Sequence, residues 1–181
     1  MQIDSKEIHY NGLNYIIRSA TIEDAGQLSD VRVIIDRETT FMDREPGEGF
    51  MDEVDFSKLI CEDLESKVNL FLVVVIGERI AGYARCQGSN LKRFAHKVEF
   101  GICILKEFWG YKMGTYLLEN CIQWADFNGI KKMTLHVVES NDKALNMYKN
   151  HGFEVEGILK NDKRFLDGTF LNTIVMGRIT Y

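Results

Sequence analysis

The chain has 181 residues, 45% hydrophobic and 27% charged, with 22 Lys and Arg against 27 Asp and Glu for a net charge of −5. That length fits one domain of roughly 100–200 residues, and with 15 Gly, one Pro and no period the composition excludes a disordered tail, a collagen-like repeat or a low-complexity segment. The acidic balance argues against nucleic acid as a partner.

From the N-terminus, Glu7 to Ala20 alternates around Asn11-Gly12, a type I′ hairpin signal. The first twelve residues read as a hairpin arm, and Leu13 to Arg18 as a sheet strand. Thr21 caps a helix, with Asp24 three residues on; Ala25, Leu28, Val31 and Ile35 form its buried stripe. Thr39 to Phe50, with Pro46, Gly47 and Gly49, is a loop. Phe56, Leu59, Ile60 and Leu64 predict a second short helix. Three strands follow: Asn69 to Ile76, Arg79 to Gln87 across a Gly77-Glu78 turn, and Lys97 to Leu105.

Met113 to Asn128 carries Leu117, Cys121, Trp124 and Ala125 on one stripe and ends at Gly129, as a helix C′ residue should. Lys132 to Val138 is a strand. Asp142 to Asn150 is a helix capped by Ser140 or Asn141 and closed by Gly152. Two strands, Phe153 to Lys163 and Thr169 to Ile179, flank an Asp167-Gly168 turn. Strand–helix–strand units between hairpins imply an α+β fold with a mixed sheet and helices on its faces.

No apolar run nears the ~18 residues of a membrane span, and Met1 to Glu7 has no apolar signal-peptide core. Cys61, Cys86, Cys103 and Cys121 are scattered without a Cys-x-x-Cys pair, so four buried thiols in a reducing cytoplasm are expected rather than disulfides or a metal site.

Chemistry concentrates between Val98 and Leu118. A strand runs into a short loop holding Gly110 and Gly114 and then into an amphipathic helix. The free N–H groups and positive dipole end of such a helix suit a phosphate or pyrophosphate without any catalytic side chain. Two glycines in a tight turn explain the segment equally well. Neither a Walker loop nor a Gly-x-Gly-x-x-Gly dinucleotide fingerprint occurs.

Trp109-Gly110-Tyr111-Lys112-Met113-Gly114-Thr115 resembles the coenzyme A pyrophosphate loop of GNAT-superfamily N-acetyltransferases, written Gln/Arg-x-x-Gly-x-Gly/Ala. Lys112 stands where that loop usually has Gly, and Trp109 where Gln or Arg is frequent. Lys112 adds a positive charge or alters the backbone angles. Asn141, Ala144, Tyr148, Gly152 and Phe153 match the family's second signature, Asn-x-x-Ala-x-x-x-Tyr-x-x-x-Gly-Phe. The resemblance implies one N-acetyltransferase domain over residues 1–181, with a mostly antiparallel sheet of about six to seven strands and about four helices. It further implies acetyl-CoA as co-substrate, held by Ile102, Cys103, Ile104, residues 109–115 (Trp109 to Thr115), Asn141 and Tyr148, with no metal.

Acetyl transfer to an amine needs a base for the amine proton, a donor for the developing oxyanion and an acid for the leaving thiolate. The resemblance assigns the acid to Tyr148; a core aromatic under Gly152-Phe153 is the alternative. For the base, Glu99 is one candidate, since many family members carry an acidic residue on this strand. His136 is the other, by resemblance to ribosomal-protein N-terminal acetyltransferases, which have Glu there. An unassisted or water-relayed route stays open. The resemblance implies that the Met42 to Gly49 loop shapes the acceptor pocket; Glu45, Glu48, Asp52 and Glu53 in and after it attract a cationic amine or form a plain acidic loop.

The implied activity is acetyl transfer to a primary amine of a small molecule or protein N-terminus, in the cytoplasm, without nucleic-acid or membrane partners; assembly as a homodimer stays open. The competing readings are a non-catalytic coenzyme A-binding module and a cofactor-free interaction domain.

Overall fold

The alternating segments around Asn11-Gly12 form a hairpin of β1 (Lys6–Tyr10) and β2 (Leu13–Ser19). Asn11 and Gly12 have φ of 51° and 79°, the left-handed pair a type I′ turn requires. The computed structural model describes residues 2–181. Thr21 opens the first helix as a 3-10 turn over Ile22–Asp24, and α1 proper spans Ala25–Glu38. The Thr21 N–H donates to the Asp24 carboxylate at 2.8 Å, and Arg18 grips the same carboxylate at 2.6 and 2.8 Å. α2 (Glu53–Glu65) is capped by Asp52, whose carboxylate accepts from the Asp55 N–H at 2.9 Å. Asp52 is therefore a helix cap rather than a free loop charge.

The remaining elements are β3 (Leu70–Ile76), β4 (Arg79–Gly88), β5 (Lys97–Ile104), α3 (Met113–Phe127), β6 (Lys132–Val138), α4 (Asp142–Asn150), β7 (Glu154–Arg164) and β8 (Phe170–Ile179). The strands form one sheet in the order β1-β2-β3-β4-β5-β6-β8-β7. This corrects the expected six to seven strands to eight: β1 pairs with β2 along its whole length and so belongs to the sheet as an edge strand.

β3 explains its unbroken apolar run by being covered on both sides. Leu70, Leu72 and Val74 join the core under α3, whereas Phe71, Val73 and Val75 join the core under α1 and α2. Each such side chain contributes roughly 1.5–3 kcal/mol by leaving water. Trp124 lies in the α3 core as its stripe predicts. Cys86, Cys103 and Cys121 are buried free thiols, and Cys61 is half-buried. Among the described residues no helix is long and apolar enough to cross a membrane.

The β5–β6 pair interrupts this regularity. It is parallel, and its partners are Lys97 with Lys132, Val98 with Met133 and Glu99 with Thr134. Beyond Glu99 the strands separate, although β5 continues to Ile104 and β6 to Val138. The Leu105 N–H donates to the Ala81 carbonyl at 2.9 Å, which fixes the alternation along β5. The N–H and C=O groups of Ile102 and Ile104 consequently face away from β4, into the split.

Candidate active site

A cavity of about 460 Å³ occupies this split. Ile102, Cys103 and Ile104 of β5 form one wall, and Asn141, Ala144, Met147 and Tyr148 of α4 another. Trp109, Gly110, Lys112, Met113, Gly114 and Thr115 close the end at α3. The structure thus gathers almost every sequence-predicted cofactor residue around one space. Tyr111 is the exception: its side chain packs on the core and its carbonyl accepts the Tyr15 hydroxyl at 2.9 Å.

The loop before α3 owes its shape to two left-handed residues, Gly110 at φ 92° and Lys112 at φ 57°. Glycine adopts such angles freely, while for lysine they cost about 1–2 kcal/mol. The Lys112 ammonium lies 5.0 Å above the Tyr10 ring. The Trp109 indole N–H returns to the Ile104 carbonyl at 2.9 Å, and its ring stacks on Phe41. Among the described residues, no acceptor within the chain meets the backbone N–H groups from Gly110 to Thr115; the first bonded amide is Tyr116, which donates to the Lys112 carbonyl at 3.0 Å. Lys112 caps the helix with no side-chain bond. A row of free N–H groups at a helix N-terminus is an anion site.

Asn141 caps α4, its side-chain oxygen accepting from the Ala144 N–H at 3.2 Å, which leaves the carboxamide NH₂ for a ligand. Tyr148 combines both readings of its sequence position. Its ring packs edge-on against Phe100 and beside Phe153, and it is only 6% exposed, yet it lines the cavity. Burial raises its phenol well above the ordinary tyrosine range. Burial also lifts the Cys103 thiol to about 12, so this cavity-lining cysteine stays protonated and is a poor nucleophile.

Glu99 and His136 lie outside the cavity lining. The parallel register brings them together across the base of the split, with Nδ1 of His136 3.4 Å from a Glu99 carboxylate oxygen. Sequence reasoning set them as rivals; the sheet makes them neighbours. They alternate with Val98, Phe100, Leu135 and Val137, which enter the α3 core, so they occupy the opposite face of the sheet.

On that side a wider cavity of about 920 Å³ lies between the 39–50 loop and the β7–β8 turn. Thr39, Phe41, Met42 and Trp109 line both cavities and join them. Glu45 and Glu48 line the outer one, with Arg37, Lys106 and Arg164 supplying opposite charge. Arg44 is bound to buried Asp36 at 2.9 and 3.1 Å. Lys163 bridges to Asp43 at 2.5 Å, tying the hairpin to the loop. Thr39, Phe41 and Phe108 also line the inner cavity, and nothing local in the sequence marks them for it. Lys143 also lines the cavity beside Ala144, at a position that the signature leaves open.

The sequence profile of the acetyltransferase (GNAT) family matches residues 34–153. The chain belongs to the GNAT acetyltransferase family. It is 26% identical over 109 residues to the L-amino acid N-acetyltransferase AaaT of Escherichia coli K12, spanning 60% of this chain and 67% of that protein. Its structure matches an acetyltransferase of the GNAT family from Streptococcus pneumoniae with a TM-score of 0.88 and 26% identity, over 92% of this chain and 99% of that one. It also matches the fold of the Salmonella typhimurium protein yncA, solved with its cofactor acetyl-CoA, at a TM-score of 0.81 and 18% identity, over 92% and 94% of the two chains.

Proposed function

We propose that this GNAT acetyltransferase moves the acetyl group of acetyl-CoA directly to a primary amine, of a small molecule or a protein N-terminus. One observation carries the reading: the unpartnered N–H groups from Gly110 to Thr115 end a cavity that runs along β5 to Tyr148. Their donor set fits a pyrophosphate, and the apolar walls formed by Ile102, Ala144 and Met147 fit an uncharged arm. When bound, acetyl-CoA supplies an acetyl group activated as a thioester.

The residues then divide the work. Asn141 offers its NH₂ to the arm. The N–H groups of Ile102 and Ile104, turned into the split, are donors for a polarised carbonyl oxygen. The Glu99–His136 pair takes a proton from the incoming amine on the outer face, directly or through water. Tyr148, held protonated by burial, gives a proton to the departing sulfur. The protonated Cys103 argues for direct transfer rather than an acyl-cysteine route. The outer cavity is the acceptor's entry, with carboxylates and cations both available to it.

The test is a panel of amino acids, polyamines and peptides bearing free N-termini, incubated with acetyl-CoA while free thiol is measured. Amine-dependent thiol release supports the reading. Coenzyme A binding with no release on any amine would favour a non-catalytic coenzyme A-binding module. No coenzyme A binding at all would overturn both.

A further inference from the structure

The hydrogen bond from Tyr15 to the loop before α3 joins residues 96 positions apart. Tyr15 lies in β2, outside the segment where the site residues cluster, and is 2% exposed. Its ring also approaches Tyr116 in the first turn of α3, at 6.5 Å between centroids. A planar trans peptide points its C=O and N–H in opposite directions. Because the Tyr111 carbonyl is turned toward β2, the N–H of the same peptide, belonging to Lys112, is turned the other way. That N–H is itself one of the row of unpartnered amides. The left-handed Lys112 is the strained member of this row, and β1 holds it a second time through the contact of its ammonium with the Tyr10 ring.

We propose that Tyr15, through its hydrogen bond to the Tyr111 carbonyl, is a positioning residue for donor binding, and that the N-terminal hairpin is thereby a working part of the acetyl-CoA site. The proposal rests on the acetyl-CoA reading above. Tyr15 touches no reacting atom; it orients the amides that meet the phosphates. Losing it therefore weakens binding of a donor that carries the pyrophosphate and spares one that does not.

The experiment compares acetyl-CoA with S-acetyl-pantetheine, which keeps the thioester and arm but lacks the pyrophosphate. Tyr15→Phe keeps the ring against Tyr116 and removes only the hydroxyl. The KM for acetyl-CoA is expected to rise about fivefold, as for one lost hydrogen bond, with kcat little changed and kcat/KM for S-acetyl-pantetheine unaltered. Equal loss on both donors, or no change on either, overturns the proposal, because a merely structural role does not distinguish the two. Tyr10→Leu, at the hairpin's edge, is the second variant and serves if Tyr15→Phe does not fold. It should raise KM for acetyl-CoA selectively, and failure to do so counts against the hairpin's role. Calorimetry with coenzyme A separates the two levels: wild-type protein that does not bind it sinks the acetyl-CoA reading and this proposal together, whereas equal affinity of wild type and Tyr15→Phe sinks the proposal alone.

Discussion

Glu99 and His136, on neighbouring parallel strands, meet at 3.4 Å across the last rung before β5 and β6 part. Both side chains remain open to solvent, at 63% and 44%. As a pair that relays one proton, they should not act additively. Glu99→Gln and His136→Gln are each expected to lower kcat by about 10²-fold, within the usual range for general base catalysis, and the double variant should lose little more than either single one. Steady-state kinetics of the four proteins close the cycle. Multiplying losses would mean that the two residues act separately and that their contact is incidental.

Gly114 tests the cavity's end wall. A Cβ built there meets Ile102 Cδ1 at 3.7 Å and Met147 Sδ at 3.8 Å, ordinary contact distances, so a side chain fits the fold. The further methyls of Val would then stand in the cavity between β5 and α4. Gly114→Val is expected to melt near the wild-type temperature and to lose the stabilisation that acetyl-CoA confers by mass action. A variant still stabilised as strongly as wild type would put the phosphates elsewhere.

Lys112 separates two effects of opposite sign. Its left-handed backbone favours Gly, while its ammonium gains from the Tyr10 ring. Lys112→Gly loses the ring contact but relieves strain of about 1 kcal/mol, so its Tm should stand roughly 2–4 °C above that of Lys112→Ala. Lys112→Ala keeps the strain, loses the ring contact and should lower Tm. Thermal melts of both decide it; equal drops would mean that the left-handed angle costs lysine nothing here.

What the sequence disclosed, and what it withheld, follows the range of the interactions. The helices and central strands were legible because their stripes are local, as with Leu117, Cys121 and Trp124 in α3. The turn at Asn11-Gly12 was legible because its backbone angles restrict residue choice. The place of β1 in the sheet was not, since Lys6–Tyr10 reads as an arm until its bonds to β2 are counted. Nor was the split beyond Glu99 and Thr134, which depends on two strands far apart in the chain. The same long-range register makes neighbours of Glu99 and His136, which the sequence presents as alternatives. Tyr15 read only as a strand residue, because its bond to Tyr111 leaves no local trace.

Buried tyrosines set the alkaline limit of stability. Burial, with Tyr116 and Tyr10 adding to it, raises Tyr15 to about 12, and burial lifts Tyr148 and Tyr83 as well. These groups hold their protons more tightly folded than unfolded. Their contribution to stability is complete below the unfolded value of about 10 and is lost as pH rises through the folded values. Urea midpoints should be level from pH 7 to 9 and fall steeply above 10, and Tyr15→Phe should flatten that fall. A slope unchanged in the variant would mean that Tyr15 titrates alike in both states.

Tyr148 carries the mechanistic prediction. Tyr148→Phe removes the hydroxyl and almost no volume, and its ring contacts with Phe100 and Phe153 do not require that oxygen. Burial alone acts on the hydroxyl, with no hydrogen bond to it among the described residues, so its loss leaves no partner stranded in the core. Folding and coenzyme A affinity should therefore survive. In the proposed role the hydroxyl acts on sulfur as charge develops there, an interaction stronger in the transition state than in the ground state. kcat at saturating acetyl-CoA is expected to fall at least about tenfold, within the range of general acid catalysis. Because burial raises the phenol, the wild-type rate should hold across the mildly alkaline range with respect to this group. The decisive comparison uses donors with leaving thiols of different acidity. A better leaving thiol needs the acid less, so the Tyr148→Phe deficit should shrink with an aryl thioester of acetate. A deficit identical for alkyl and aryl thioesters, or a wild-type rate in the variant with acetyl-CoA, would remove Tyr148 as the acid and leave it a core aromatic beneath Phe153.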